Sequence, residues 1–414
     1  MSILTRGGPS QEAIIAALSN VNDPELHRDV ISLGMIKDLE IKGGDVSLRL
    51  VLTTPACPVR RDFQEMIENA VKAVAGVKSV RVVMDAEVRG SAPIQGKRSV
   101  EGVRNIVAVA SNKGGVGKST VAVNLAVALA KLGARVGIVD ADITGPNLPT
   151  MLGFEAGYQA QEKGLRVAEA YGVKVASLGF LLPRDMPVVW RGPMIGTGVR
   201  QLLHDIQWGE LDYLVVDLPP GTSDASMSLC QDSPVAGAVI VSTPQAVALE
   251  DATKAVGMFE KLNVPVFGIV ENMSYFVPPD SNVRYEIFGH GGARTAADEL
   301  GIDFLGEIPL DMRVRSGGDE GKPVVVSAPD SPAAQAFVQV AERVAAKLSV
   351  LQRAGEMLVP AFSAKAARAI RRGRRRPHPP PSPFSNPRPT PPCLNGGAAA
   401  APRRRPMPSP LTPS

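Results

Sequence analysis

Cysteine is scarce in this chain. Cys57, Cys230 and Cys393 are the only three in 414 residues, and no two of them form a Cys-x-x-Cys pair. That excludes a disulfide scaffold and any metal knuckle built on local spacing. No run of about 18 apolar residues free of charge occurs, so no membrane-spanning helix is expected. The opening MSILTRGGPSQEAIIAAL lacks the long apolar core and small-residue cleavage site of a secretory signal, and a cytoplasmic location is expected. Acidic residues are missing from Ala361 to Ser414, which holds eleven Lys or Arg. Against a net +4 for the whole, that tail of +11 leaves −7 on the rest, so the body is mildly acidic.

What is present divides into four stretches. Residues 1–88 predict a small α+β domain. QEAIIAALSNV has helical spacing, VSLRLVLTT alternates as a half-buried strand, RDFQEMIENAVKAVAG is an amphipathic helix stopped at Gly76, and VKSVRVVMD is a closing strand. Residues 89–103, polar and broken by Gly and Pro, read as a linker. Over 104–350, the apolar runs IVAVAS, RVGIVD, YLVVDL, AVIVST, PVFGIV and FLGEIP alternate with helical stretches. Runs apolar on both faces belong in a parallel sheet covered by helices, an α/β fold of the P-loop NTPase kind. Residues 351–414, rich in Pro and Arg, cannot bury enough apolar surface to offset the entropy of ordering and are expected to be disordered. The tail has only Phe362 and Phe384 for stacking and no bulky apolar helix face, which argues against nucleic-acid and membrane partners.

The strongest chemical signal is IVAVASNKGGVGKSTVAVNLAVALAKLG. A strand enters a glycine-rich turn and a helix follows at once. Gly114, Gly115 and Gly117, with Val116 between them, let backbone N–H groups converge on phosphate oxygens at a helix N-terminus. Lys118 can reach the β- and γ-phosphates, the Ser119 hydroxyl can ligate Mg²⁺, and Thr120 completes the motif. Asn112 stands where the strict pattern has glycine, and asparagine tolerates the backbone angles required. Asp140 and Asp142 follow a strand in GARVGIVDADITGPN, and Asp217 follows four apolar residues in DYLVVDLPPGTSD, the arrangement of a Mg²⁺-holding carboxylate. ATP and Mg²⁺ are the expected cofactors.

Lys113 extends the motif to Lys-Gly-Gly-x-Gly-Lys-Ser, which resembles the deviant Walker A motif of the MinD/ParA/nitrogenase-iron-protein class. The resemblance implies a homodimer in which Lys113 reaches the partner's nucleotide, Asp142 orients or activates the attacking water, Asp140 supports the Mg²⁺ shell, and Asn272 hydrogen-bonds adenine. For Asn272, a structural turn asparagine is an equal reading. Further stretches are similar to one subfamily, the Mrp/ApbC iron–sulfur cluster carrier proteins: SNKGGVGKST, DADITGPN, WRGPMI from Trp190, VVDLPPGTSD, ENMSYF, EIFGHGGA and GEIPLD. DPELHRDVISLGMI and TTPACP resemble the small iron–sulfur-maturation domain fused to many of its members.

That likeness implies an ATP hydrolase that carries an iron–sulfur cluster, often 4Fe–4S, to apo-protein clients. Its usual Cys-x-x-Cys is missing: Val277, Pro278, Pro279 and Asp280 stand in its place. Cys57, in TTPACP, is the remaining candidate ligand, shared between two copies or with an external thiol, beside the plainer reading of a free structural cysteine. Cys230 reads as core. His27, His204 and His290 show no mutual metal spacing. Two other functions stay open: a cluster-free ATPase adaptor in iron–sulfur maturation, and a ParA/MinD-like positioning ATPase.

Overall fold

The computed structural model describes residues 8–354, except 143–144, 155–159, 162–163, 166, 181–191, 222, 246 and 282. Trp190 and the basic tail beyond Ala354 lie outside the described residues. Within the described residues, no helix is long and apolar enough to cross a membrane.

The first unit of structure is small. Helix α1 (Gln11–Leu18) is opened by Ser10, whose hydroxyl accepts from the Ala13 N–H at 3.2 Å. Strands β1 (Ile36–Lys42) and β2 (Asp45–Leu52) form an antiparallel hairpin; α2 (Arg60–Lys72) then crosses over to β3 (Ser79–Ala86), parallel to β2. Phe63, Ile67 and Val71 recur every fourth residue of α2 and are buried, so one helix stripe covers one face of this three-stranded sheet.

The second unit begins with β4 (Ile106–Ala110) and α3 (Lys118–Lys131), followed by β5 (Val136–Asp140) and the short α4 (Leu148–Met151). The hairpin pieces β6 (Ala160–Gln161) and β7 (Gly164–Leu165) lead to β8 (Ala168–Ala170) and β9 (Val173–Ser177). Then come α5 (Gly192–His204), β10 (Tyr213–Asp217), α6 (Asp224–Asp232), β11 (Val235–Ser242), α7 (Ala248–Lys261) and β12 (Val266–Phe276). The remainder is α8 (Gly292–Leu300), β13 (Phe304–Leu310), α9 (Met312–Asp319), α10 (Val324–Ser327) and α11 (Pro332–Ala354). The sheet order is β13-β12-β11-β4-β10-β5-β9-β8, parallel throughout except for the antiparallel edge strand β8.

Strand residues alternate between two cores. Val107, Val109, Ile138 and Val215 face α3 and α11, whereas Ile106, Ala108, Val139, Leu214 and Val216 face α5, α7 and α8. Burial on both faces is why these strands read as unbroken apolar runs. All six such runs are strands of this one sheet. The edge pair β8 and β9 carries no such run, since Glu169 and Lys174 interrupt it, and it is absent from the expected strands.

The two units are joined by packing as well as by chain. The loop after β2 inserts Ala56 into the core under α3 and α11. Thr54 and Tyr213 share a 3.1 Å hydrogen bond between fully buried hydroxyls, and Gln352 of α11 donates to the Arg89 carbonyl at 3.0 Å and to Asn105 Oδ1 at 2.6 Å. The polar 89–103 stretch is pinned as well: Lys97 Nζ donates to the Cys230 carbonyl at 2.6 Å, and the Arg98 N–H to the Asp232 carbonyl at 2.8 Å. Replacing Tyr213 with Phe removes the phenol from this junction. It is expected to lower stability by about 1 kcal/mol, read as a reduced urea midpoint with the far-UV spectrum unchanged.

Candidate functional site

Parallel strands bring their carboxyl ends to one edge, and the loops there form a cavity of about 530 Å³. The loop between β4 and α3 makes its floor. Gly115 and Gly117 take φ values of +79° and +82°, which side-chain-bearing residues rarely adopt. At Gly117 space also forbids substitution, because an added Cβ would lie 2.2 Å from Asn272 Nδ2. That amide donates to the Val116 carbonyl at 2.8 Å, so Asn272 fastens the loop from β12.

Lys118 opens α3 and lies buried, its ammonium 2.6 Å from Oδ1 of the fully buried Asp217 at the end of β10. The Asp217 carboxyl is held above the usual carboxylate range because burial outweighs the opposing pull of Lys118 and the Ser119 hydroxyl. Its second oxygen, Oδ2, is buried without a hydrogen-bond partner. An orphaned carboxylate oxygen beside a Ser hydroxyl is a donor set that suits Mg²⁺.

Asp140, one strand over on β5, is also raised, first by burial and then by the charge of Asp217. Its carboxylate organises the loop that follows: Oδ1 accepts from the Asp142 N–H, and Oδ2 from the Leu148 N–H and the Ser177 hydroxyl, each at 3.2 Å. Asp142 itself lines the cavity with Lys113, Gly114, Gly115, Gly117, Lys118, Ser119, Thr120 and Asn272. The fold therefore gathers these residues at one place, with Val116, Asp140 and Asp217 directly behind them.

Several lining residues are not singled out by the sequence, although Asn147 closes the matching stretch DADITGPN. Asn147, Thr150 and Met151 come from the start and body of α4; Pro309, Leu310 and Asp311 come from the end of β13 and the residue after it; Arg315 and Asp319 come from α9. The run GEIPLD is visible as a shared stretch, but nothing in its composition ties it to a ligand. Asp251 escapes sequence reasoning too. It accepts from Lys113 Nζ at 2.6 Å and from Asn112 Nδ2 at 3.0 Å, holding both loop residues against α7. An acid in the first helical turn reads from sequence as a partner of the helix dipole, which hides a long-range role.

Cys57 does not join this site. It belongs to the Thr54–Cys57 loop, which meets β10 at Tyr213, whereas Asp217 ends the same strand at the cavity; at ~3.3 Å rise per residue those strand ends are about 13 Å apart. Burial, then the nearby Glu25 carboxylate, pushes the Cys57 thiol up to about 12. Glu25 is itself raised to about 7 by burial and by Asp23. Cys230 is buried in the core, its thiol likewise pushed up to about 12 by burial.

Glu271, His290 and Glu307 bring ligand atoms within 4.8 Å of one another. That position is already served. Glu271 accepts from the Ser274 hydroxyl at 2.6 Å and from the Gly291 and Ala293 N–H groups at 3.2 and 2.9 Å, capping α8. Arg284 donates to Glu307 at 3.0 Å and contacts His290 Nδ1 at 2.8 Å. A resident guanidinium repels a metal ion there.

The chain is similar in sequence to known proteins over most of its length. A family model described as a NUBPL iron-transfer P-loop NTPase matches residues 102–345, and one described as an iron–sulfur cluster assembly protein matches residues 11–83. An iron–sulfur cluster carrier protein of Synechocystis sp. is 50% identical over 345 residues, 82% of this chain and 98% of its own length. One from Deinococcus radiodurans is 49% identical over 341 residues, covering 82% and 96%. Among solved structures, a nucleotide-binding protein from Archaeoglobus fulgidus in complex with ADP is 42% identical, covering 54% of this chain and 88% of that one, with a TM-score of 0.48.

Two outcomes are expected from this geometry. Lys118→Met leaves the Asp217 carboxylate buried and unpaired, and should cost about 3 kcal/mol of stability, most of it restored by adding Asp217→Asn. The deficit should grow with pH, because an acid whose folded pKa lies above its unfolded one loses stability as pH rises; denaturation midpoints at pH 5 and pH 8 check both. Separately, Cys57 alkylation should accelerate about tenfold per pH unit from 7 to 10 without a plateau, where an ordinary thiol levels off near 8.5. Mass-spectrometric labelling rates measure this.

Proposed function

The chain belongs to the NUBPL iron-transfer P-loop NTPase family, and on that premise we propose that it binds and hydrolyses ATP in order to assemble iron–sulfur clusters or deliver them to apo-proteins. The observation that carries the ATP half is the buried Lys118–Asp217 pair at the head of α3, bordering a cavity lined by the glycine loop. The N–H groups of Gly114, Gly115, Val116 and Gly117 would cradle the phosphates, together with the positive end of α3. Lys118 would exchange Asp217 for the β- and γ-phosphates. Ser119 and Asp217 would hold Mg²⁺, with Asp140 supporting from behind; the ion, when bound, neutralises charge on the phosphates. Asp142 would orient the attacking water. Thr120 lines the phosphate end. The amide N–H of Asn272 is engaged with Val116, which leaves its carbonyl oxygen to meet the adenine amino group.

Lys113 would act across a homodimer, leaving Asp251 for the partner's nucleotide. A second cation at the transferring phosphoryl group stabilises charge as an arginine finger does. Lys113→Ala is expected to lower ATP turnover at least about a hundredfold while nucleotide affinity stays within a few fold; equal losses in both would remove the transfer role.

The cluster is cargo rather than a resident group. Cys57 is its candidate ligand, and its high thiol pKa means that the bound iron must displace the proton. Lys113 and Cys57 lie toward opposite ends of the sheet, so a dimer formed through the Lys113 face keeps its two Cys57 residues apart. That supports an external thiol, rather than the second Cys57, as the co-ligand. The same half-buried thiol, with its proton held tightly, also favours the cluster-free adaptor as the second reading. Anaerobic reconstitution with iron and sulfide separates them: visible absorption and bound iron in wild type, lost in Cys57→Ala, are expected for a carrier. Absence of both from wild type would leave the adaptor.

A further inference from the structure

The sheet of the small unit has two edge strands, and the chain treats them differently. An edge strand offers unpaired N–H and C=O groups to any other strand, so it is ordinarily guarded by a bulge, an inward charge or a proline. Edge β1 is guarded: its pairing with β2 shifts register between Lys37 and Glu40, and Asp38 there takes a left-handed φ of +50°. Edge β3 has no such guard. It reads Ser-Val-Arg-Val-Val-Met-Asp-Ala, without proline, and pairs with β2 from Ser79 to Ala86 without a shift. Among the described residues, no strand pairs with its other side.

Two alternations fix what that side presents. The Glu87 N–H donates to the Leu52 carbonyl, so odd-numbered residues of β3 turn their backbone groups to β2 while Val80, Val82 and Met84 turn theirs outward. The Ala86 N–H, which also points outward, is taken by Asp85 Oδ1 at 2.8 Å. Side chains alternate as well. Val80, Val82 and Met84 pack into the small core, which leaves Arg81, Val83 and Asp85 on the opposite face, with Val83 46% exposed. On that face Arg49 of β2 joins Asp38 of β1 at 2.7 Å and Asp85 at 2.8 Å. The charges thus run acid, base, acid across the three strands and stop at the open edge. Arg81 has no ion-pair partner among the described residues.

We propose that β3 pairs antiparallel with β3 of a second copy of the chain, about a two-fold axis through Val83, joining the two small sheets into one. Self-complementarity selects both occupant and register. Facing side chains must share a face, so the axis passes through a residue and not between two. Centred on Arg81, the pairing sets like charges opposite each other; centred on Val82, it sets Arg81 against Val83. Centred on Val83, it sets Arg81 opposite Asp85 of the second copy, twice, and the two exposed valines opposite each other. These are the positions without hydrogen bonds, where facing side chains come closest. Val82 and Met84 then exchange the backbone bonds, and Arg81 of the second copy extends the series Asp38, Arg49, Asp85. Antiparallel pairing also sends the two C-terminal ends of β3 in opposite directions. Val88, just beyond, already belongs to the larger core, so the larger units are carried apart. An eight-residue edge buries less than the ~800 Å² per partner of a standard interface. A reversible dimer is therefore expected, and it owes nothing to nucleotide or to the ATPase reading.

Sedimentation velocity of the nucleotide-free full chain, from about 1 to 100 µM, tests the proposal. Wild type should pass from monomer to dimer, and Arg81→Glu, which sets two acids opposite each other at both ends, should weaken that dimer at least about tenfold. Cross-linking tests the register. In a Cys393→Ser background, Val83→Cys should form a covalent dimer with diamide, because residues facing across the axis lie about 4.5 Å apart at Cα, within disulfide range. Arg81→Cys in the same background faces Asp85 and should not link. Wild type that stays monomeric throughout overturns the proposal, as does a dimer that Arg81→Glu leaves unchanged. If Arg81→Glu fails to fold, cross-linking decides: a link at Val83→Cys alone supports the contact, and its absence, or an equal link at Arg81→Cys, rejects it.

Discussion

Lys118 and Asp217 are two opposite charges withdrawn from water at the middle of a parallel sheet, and the rest of the site is arranged around them. Charges so placed are tolerable only as a pair, since desolvation would otherwise drive one of them neutral. The pairing requires β4, which launches the loop and α3, to lie directly beside β10, which ends in Asp217. It requires glycine at positions 115 and 117, so that the chain can curl tightly enough to begin a helix with that lysine. It also raises the demand on Asp140, a second buried acid on the next strand, which is stabilised by two backbone N–H groups and a serine hydroxyl in place of a cation. On the proposed reading, a phosphate group entering the cavity would offer Lys118 a second anion, and the vacated Asp217 would then present both oxygens to the cation that accompanies it.

Much of this can be read from the chain before any coordinates, and the reason is local. A strand buried on both faces must be apolar along its length, so IVAVA, VGIVD and YLVVD announce themselves; a phosphate loop must be written in consecutive residues. Features that depend on residues distant in sequence leave no such trace. Asp251 lies 139 positions from Asn112 and nearly as far from Lys113, both of which it holds, and in its own helix it resembles an ordinary first-turn acid. The edge strand β8 is only three residues long and its neighbour β9 is interrupted by Lys174, as β8 is by Glu169, so no apolar run marks either. The stretch 89–103 has the composition of a loose linker, yet Lys97 and the Arg98 backbone bind it to the end of α6. Asn272 is read from the sequence either as an adenine contact or as a turn asparagine, and its grip on Val116 emerges only when β12 is set against the glycine loop.

Thr54 and Tyr213 give the fold a polarity that its individual parts lack. One five-residue strand has the small domain's cysteine loop against its first residue and the phosphate-site carboxylate as its last. If Cys57 holds the cluster as proposed, fuel and freight would occupy opposite poles of this one strand. A donor or recipient of iron and sulfur could dock at the cysteine pole while the other pole is occupied by nucleotide, and neither visitor would have to leave for the other to arrive. On that reading, loading and firing would not have to alternate; they could overlap in time.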